Sequence, residues 1–332
     1  MKKVNTNNKR PKQAKDDGSI DSLLRPNKWE DYIGQEKIKK GLKTIIRAAK
    51  KRNESSDHLL FYGQPGLGKT TLASLVAKEM NVNLKTISAP SLSRIGDLAA
   101  ILTNLENYDV LFIDEAHRLN PAVEELFYSA IDSRKINLMV GKGASSRMIS
   151  IDLPQFTLIA ATTRANMISS PLRSRFGAIF KLDYYENENI EEIIRRSANI
   201  LGIEINKEAV SIISKASRFT PRLANRLLKR SRDIAELNES NFIDKETVLE
   251  AFDMFGIDEI GLEFQDRKFL EIIISKFRGG PVGIGALSAA LGEERGTIEE
   301  IYEPYLLKIG FLQRTPAGRV IAEEARKWLG KN

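Results

Sequence analysis

Two short stretches of this sequence could do chemistry together. Residues 63–70 read GQPGLGKT, the spacing G-x-x-x-x-G-K-[ST], and Asp114 with Glu115 sits inside VLFIDEAH. In the first stretch Gly66 and Gly68 let the backbone curl so that successive N–H groups point inward. The result is a cradle for phosphate oxygens at the positive end of the following helix. Lys69 supplies a point charge for the β- and γ-phosphates, and the Thr70 hydroxyl a ligand for Mg²⁺. Asp114 could hold that ion through water, and Glu115 could polarise an attacking water. His117 reads as a loop or helix-start residue, since Glu115 already offers the base.

Such chemistry needs elements that hold both stretches side by side. Leu59, Leu60, Phe61 and Tyr62 form an apolar strand that runs through the glycine-rich turn into an amphipathic helix with Leu72, Leu75 and Val76 facing inward. Residues 110–113 are a continuous apolar run, as expected of a strand buried on both faces of a parallel sheet. Asp114 then falls at the carboxyl edge, where ligands of such sheets bind. Residues 83–88 (NLKTIS) and 156–163 (FTLIAATT) supply further strands, the latter ending in Thr162 and Thr163. Either hydroxyl could face a γ-phosphate, and a strand-end threonine is also common without function.

Composition bounds the rest. With 332 residues, 42% apolar and 29% charged, the chain has material for two or three domains. It has no cysteine and only two histidines, which excludes disulfides and thiolate metal sites and argues against a histidine-rich zinc site. No apolar run reaches the roughly 18 residues of a membrane span, and the amino-terminal stretch lacks the apolar core of a signal peptide. A soluble, cytoplasmic protein with no membrane partner is expected. Lys2, Lys3, Lys9, Arg10, Lys12 and Lys15 account for all but one unit of the net charge of +7. Residues 1–17 therefore read as a basic disordered tail, either merely solvated or a DNA-binding arm.

Residues 18–184 read as the α/β nucleotide-binding unit and 185–256 as a small helical lid. Residues 257–332 show helical patterns at 266–277, 283–291 and 297–309, then FLQRTPAGRVIA, two strand-like stretches around a turn. That is a winged-helix pattern. Arg314 and Arg319 flank the turn, and Arg295 opens the third helix. They could grip DNA phosphates or simply be solvated. Residues 135–151 alternate Ile136, Leu138 and Val140 with Ile149 and Ile151 across a Gly-rich turn. This is a β-hairpin whose apolar face meets either its own core or a partner.

Taken in order, LLRPNKWEDYIGQ, GQPGLGKTTLA, VLFIDEAHRLNP, FTLIAATTRA, SPLRSRFG, TPRLANRLLKRSRD and the block from GPVGIGALSAALGEERG to LLKIGFLQRTPAGR resemble the RuvB family. These are Holliday-junction branch-migration ATPases of the AAA+ class, and the likeness spans about residues 18–330. The resemblance implies an ATP-driven, sequence-independent DNA motor that forms a homo-hexameric ring on duplex arms. It would act in recombination, DNA repair and the SOS response, recruited by RuvA and working beside the resolvase RuvC. It implies ATP and Mg²⁺ at Leu24, Arg25, Gly66, Gly68, Lys69, Thr70, Thr71, Asp114, Glu115, Tyr185 and Arg222. Thr163 is taken as the γ-phosphate sensor and Arg175 as the arginine finger reaching the neighbouring subunit's nucleotide. Asp132, Ser133 and Arg134 lie on a stretch facing the subunit boundary. Arg295, Arg314 and Arg319 become DNA contacts, and Ile136, Leu138, Val140 and Ile149 contacts to RuvA.

The sequence departs from the family at Gln64, where proline is usual, at Ala116, and at Phe219, where glycine usually precedes Thr-Pro-Arg. Two other functions share the phosphate loop. A tandem-motor RNA helicase, suggested by the letters DEAH, needs a second parallel-sheet unit that residues 185–332 do not offer. A clamp-loader-like or helicase-loader ATPase, which remodels a protein–DNA complex without moving a junction, is the alternative.

Overall fold

The computed structural model describes residues 17–140 and 147–330. The basic tail and the hairpin tip lie outside the described residues. Seven strands belong to the first part of the chain: β1 (Leu59–Tyr62), β2 (Leu84–Ser88), β3 (Val110–Asp114), β4 (Lys135–Val140), β5 (Arg147–Asp152), β6 (Thr157–Thr162) and β7 (Ala178–Lys181). Five of them form a parallel sheet in the order β2-β3-β6-β1-β7. The central strand β6 is buried throughout, whereas edge strand β7 alternates. That difference explains why the inner strands read as unbroken apolar runs. Register pairs Tyr62 with Thr162 and Ile113 with Ala160, so the ends of β1, β6 and β3 meet at one edge.

Two apolar layers cover the sheet. On one face Leu42 and Ile46 of α1 (Glu36–Arg52) and Leu72, Leu75 and Val76 of α2 (Lys69–Met80) join Phe61, Phe112 and Ile159. The same cluster continues into the lid through Ile190, Ile213, Leu227 and Val248. On the other face Leu98, Val123 and Phe127 pack against Leu60, Leu111 and Leu158. At roughly 25 cal/mol per Å², these buried side chains are the main force holding the layers together.

The lid contains the helices Asn187–Leu201, Lys207–Ala216, Pro221–Leu237 and Lys245–Met254. The last unit has its own core around Phe269, Ile273, Leu287, Ile298 and Leu306. Its wing pairs Leu312–Thr315 with Gly318–Ile321, setting Arg314 opposite Arg319. The third helix is less regular than its pattern suggests. Arg295–Thr297 and Glu303–Lys308 are α-helical, but Ile298–Tyr302 between them is a π turn. Pro304 lacks the N–H that would reach the carbonyl of Glu300, and a wider turn there is the natural accommodation.

Candidate functional site

The carboxyl edge of the sheet opens into a cleft of about 250 Å³ whose wall includes Gly66, Gly68, Lys69, Thr70, Thr71, Asp114, Glu115 and Thr163. From the amino-terminal segment come Leu24, Arg25, Tyr32 and Ile33, and from the lid Tyr185, Ile193, Arg196, Arg222 and Asn225. Three parts of the chain thus enclose one space.

The loop is held open by backbone geometry. Gly66 and Gly68 have φ of +82° and +98°, which L side chains rarely adopt. A Cβ on Gly68 would also sit 2.8 Å from the Tyr32 hydroxyl, so the amino-terminal segment closes tightly over the loop. Lys69 is buried, and its ammonium donates to the carbonyls of Gly63 (2.8 Å) and Gln64 (2.9 Å). Burial lowers its pKa to about 8; Asp114 opposes the shift and Arg222 adds to it. At the end of β3, Asp114 accepts the backbone N–H of Glu115 at 2.9 Å. Glu115 sits in the left-handed region at φ +52°, a conformation that costs a non-glycine residue on the order of 1 kcal/mol.

The two threonines ending β6 separate clearly. Thr162 is engaged, its hydroxyl 3.0 Å from His117 Nδ1 and accepting the backbone N–H of Arg164 at 2.9 Å. Thr163 lines the cleft, and its buried hydroxyl has no hydrogen-bond partner. An orphaned buried hydroxyl is costly unless a ligand or water completes it. Sequence reasoning passed over Tyr32 and Arg196. The hydroxyls of Tyr32 and Tyr185 lie 3.2 Å apart and both donate to the carbonyl of Leu67. Burial pushes the Tyr185 pKa up to about 12. Arg196 donates to the carbonyl of Leu24 at 2.9 Å, tying the lid to the amino-terminal segment. Tyr32 was visible in LLRPNKWEDYIGQ; Arg196 carried no local signal.

Other candidate residues lie elsewhere. Arg175 grips Asp132, with Nε 3.0 Å from each carboxylate oxygen and Nη2 2.6 Å from Oδ2, and it stacks 4.6 Å from the Tyr128 ring centroid. Ser133 bonds back to the carbonyl of Ser129, and Arg134 has φ +53°. None of these four residues lines the cleft of its own chain.

At the wing, Glu303 is completely buried and is held by Arg314 (Nε, 2.6 Å) and Arg319 (Nε, 2.7 Å). The Arg319 side chain is only 13% exposed and also reaches Glu299, whereas Arg314 keeps 50%. Arg319 therefore differs from the freely projecting phosphate grip expected of it, because the buried carboxylate requires its charge. Arg295 is exposed.

The hairpin also needs one correction. Ile136 is 0% exposed within the second sheet-facing cluster and offers no surface to a partner. Leu138 packs partly on that cluster, while Ile149, Met139 and Met148 are exposed. The side chain of Val140 is outside the described part.

A five-stranded parallel sheet with a phosphate loop after β1, paired acids after β3 and a helical lid over the cleft defines a P-loop ATPase of the AAA+ class. Residues 24–182 match the Holliday junction DNA helicase RuvB P-loop domain, 185–258 the RuvB AAA lid domain and 259–330 the RuvB C-terminal winged helix domain. The chain belongs to the RuvB family. It is similar to the Thermotoga maritima RuvB Holliday junction branch migration motor, with 49% identity over 93% of this chain and 99% of that one and a TM-score of 0.86. A single-substitution variant of the Thermotoga protein matches at 49% identity, the same coverage of both chains and a TM-score of 0.87.

Proposed function

We propose that this chain is the ATP-driven motor of Holliday-junction branch migration, working as a ring on duplex DNA. One observation carries the reading: a cleft with a complete phosphate loop and an unpartnered Thr163 hydroxyl, in a chain whose three successive domains all match RuvB.

The cleft suits ATP hydrolysis. Loop N–H groups and Lys69 take the phosphates, Leu24, Arg25 and Tyr185 border the nucleotide, and Arg222 reaches in from the lid. Mg²⁺, when bound, would neutralise phosphate charge between Thr70 and Asp114. Such an ion would be held largely by the substrate's phosphates. Glu115 orients the attacking water, and Thr163 fixes its position against the γ-phosphate. Arg175, with Asp132, Ser133 and Arg134 beside it, serves the neighbouring subunit's nucleotide. To do so it must leave Asp132 for phosphate.

Arg295 and Arg314 present the wing to the DNA backbone, and Arg319, held inward by Glu303, offers it Nη2 alone; none of them reads bases, which suits travel over any sequence. The hairpin docks on RuvA through Leu138 and Ile149, with Met139 and Met148 adding exposed apolar surface. A homo-hexamer in the cytoplasm, with RuvC in the wider complex, completes the reading. No described helix is long and apolar enough to cross a membrane. The deciding experiment is branch migration on a synthetic four-way junction. ATP- and RuvA-dependent movement is expected. Hydrolysis that loads a protein onto DNA and leaves the junction in place would favour the loader alternative.

A further inference from the structure

The winged-helix domain touches the ATPase domain one residue from Thr163, which lines the cleft. Arg164, the residue after Thr163, places Nη2 2.6 Å from Glu300 Oε1 and 3.7 Å from Glu299 Oε2. Both acids ride on the π turn Ile298–Tyr302. Arg164 is 26% exposed and the two carboxylates 38–39%, so this is a half-buried contact between domains rather than a loose surface pair. On the other side of Thr163, the Thr162 hydroxyl is fixed by His117 and by the backbone N–H of Arg164. Burial lowers the His117 pKa, and the negative charge of Glu300 works against that shift. The strand end is therefore held by the Thr162 hydrogen bonds on one side of Thr163 and by the Arg164–Glu300 ion pair on the other, while the Thr163 hydroxyl itself has no partner.

Glu299 has a second partner. Arg319 Nη2 of the wing lies 3.4 Å from Glu299 Oε1, while its Nε stays on the buried Glu303. One carboxylate thus stands between the guanidinium beside the sensor position and a guanidinium of the wing.

We propose that Arg164 and Glu300 are positioning residues for hydrolysis, with Glu299 the element that makes the sensor position responsive to DNA. When duplex phosphate draws Arg319 Nη2 away, Glu299 loses that partner and closes on Arg164. This firms the strand end that holds Thr163 against the γ-phosphate. Arg319 keeps Glu303 through Nε, so no buried charge is stranded. The coupling needs an element with two arrangements that both sites bias, and shared possession of Glu299 provides it. This coupling rests on the proposed role of Thr163 as the γ-phosphate sensor.

The test uses the full chain, with single-turnover ATP hydrolysis measured without and with duplex DNA, and with nucleotide and duplex affinities measured separately. Glu300→Gln should lower kcat about tenfold, the upper range of coupling through such networks, with both affinities within about twofold of the parent. The charge-swapped pair Arg164→Glu with Glu300→Arg should recover most of the loss, which a general packing defect would not. Glu299→Gln should keep the DNA-free rate and lose the acceleration by duplex. Melting curves verify that each variant is folded. Unchanged kcat in folded Glu300→Gln, a swap that recovers nothing, or full duplex stimulation in Glu299→Gln would each overturn the proposal. Thr163→Ala is measured in parallel. If it hydrolyses ATP normally, the sensor reading itself fails, and that result is separate from the behaviour of Glu300.

Discussion

The cleft and the margins of this molecule treat positive charge in opposite ways. In the cleft Lys69 is buried on two backbone carbonyls, and its pKa falls to about 8. At the margin Arg175 carries a bidentate Asp132, and that hydrogen bond is the main reason its pKa rises. Arg314 and Arg319 share Glu303 in the same manner. A group that serves its own chain's ligand stands ready for it and bears the electrostatic strain. The cations proposed for a neighbour and for DNA are each paired with an acid of their own chain, so on that proposal engaging them is an exchange of partners.

Arg175, proposed to act across a subunit boundary, should matter most. Arg175→Ala should reduce kcat by roughly 10³-fold with little change in ATP affinity, the magnitude known for arginine fingers. Mixed with Lys69→Ala subunits, which lack the loop ammonium, the inactive Arg175→Ala chains should regain activity. Some interfaces would then join an intact loop to an intact finger. Co-assembled rings that stay inactive would assign Arg175 to its own chain's Asp132 and erase the contrast.

A smaller effect separates the two wing arginines. Arg319 is nearly enclosed, so Arg319→Ala should strip the buried Glu303 of a partner and cost about 3 kcal/mol, read as a lower melting temperature. Arg314 is half exposed, and Arg314→Ala should cost no more than about 1 kcal/mol. Equal losses would mean that the two guanidiniums are stored alike.

Much of this was legible in the sequence because it is local. The strand, glycine-rich turn and helix around Lys69 follow from adjacent residues, and Asp114 from the apolar run that precedes it. The winged-helix character of the last unit was readable from helix periodicity and the hairpin. What escaped depends on contacts across long separations. Nothing near Arg319 announces that Glu303 is buried beneath it, and alternation alone could not tell that Ile136 belongs to the core. Thr162 and Thr163 are chemically identical neighbours, and what separates them is their surroundings: His117, 45 positions away, and the backbone N–H of Arg164 engage Thr162, while Thr163 lines the cleft. Phe219 replaces an expected glycine yet keeps φ at +58°. Its ring lies 6.2 Å from those of Tyr184 and Tyr305, bridging lid and winged helix, and these contacts offset the backbone strain.

On the cleft side the contrast extends to pH. In the free protein the Lys69 pKa of about 8 lies below its ordinary value of 10.5, burial being the main cause. Between these two values the unfolded chain binds more protons, so stability should rise as pH climbs from about 8 towards 10.5; below about 8 the penalty for a buried charge is fully present. Triphosphate reverses the balance, because its negative oxygens favour the ammonium and raise the pKa of the bound form. Below about pH 8 both forms carry the proton, and ATP affinity should be nearly flat. Above it, binding must take up a proton, and the apparent Kd should weaken by up to about tenfold per pH unit. Lys69→Arg provides the control, since a guanidinium does not titrate in this range; its affinity, whatever its level, should not follow the same curve. Titrating a fluorescent ATP analogue from about pH 7 to about pH 9 reads the difference. A parent protein whose affinity is unchanged across that interval would show that Lys69 is not the strained, ready cation of this cleft.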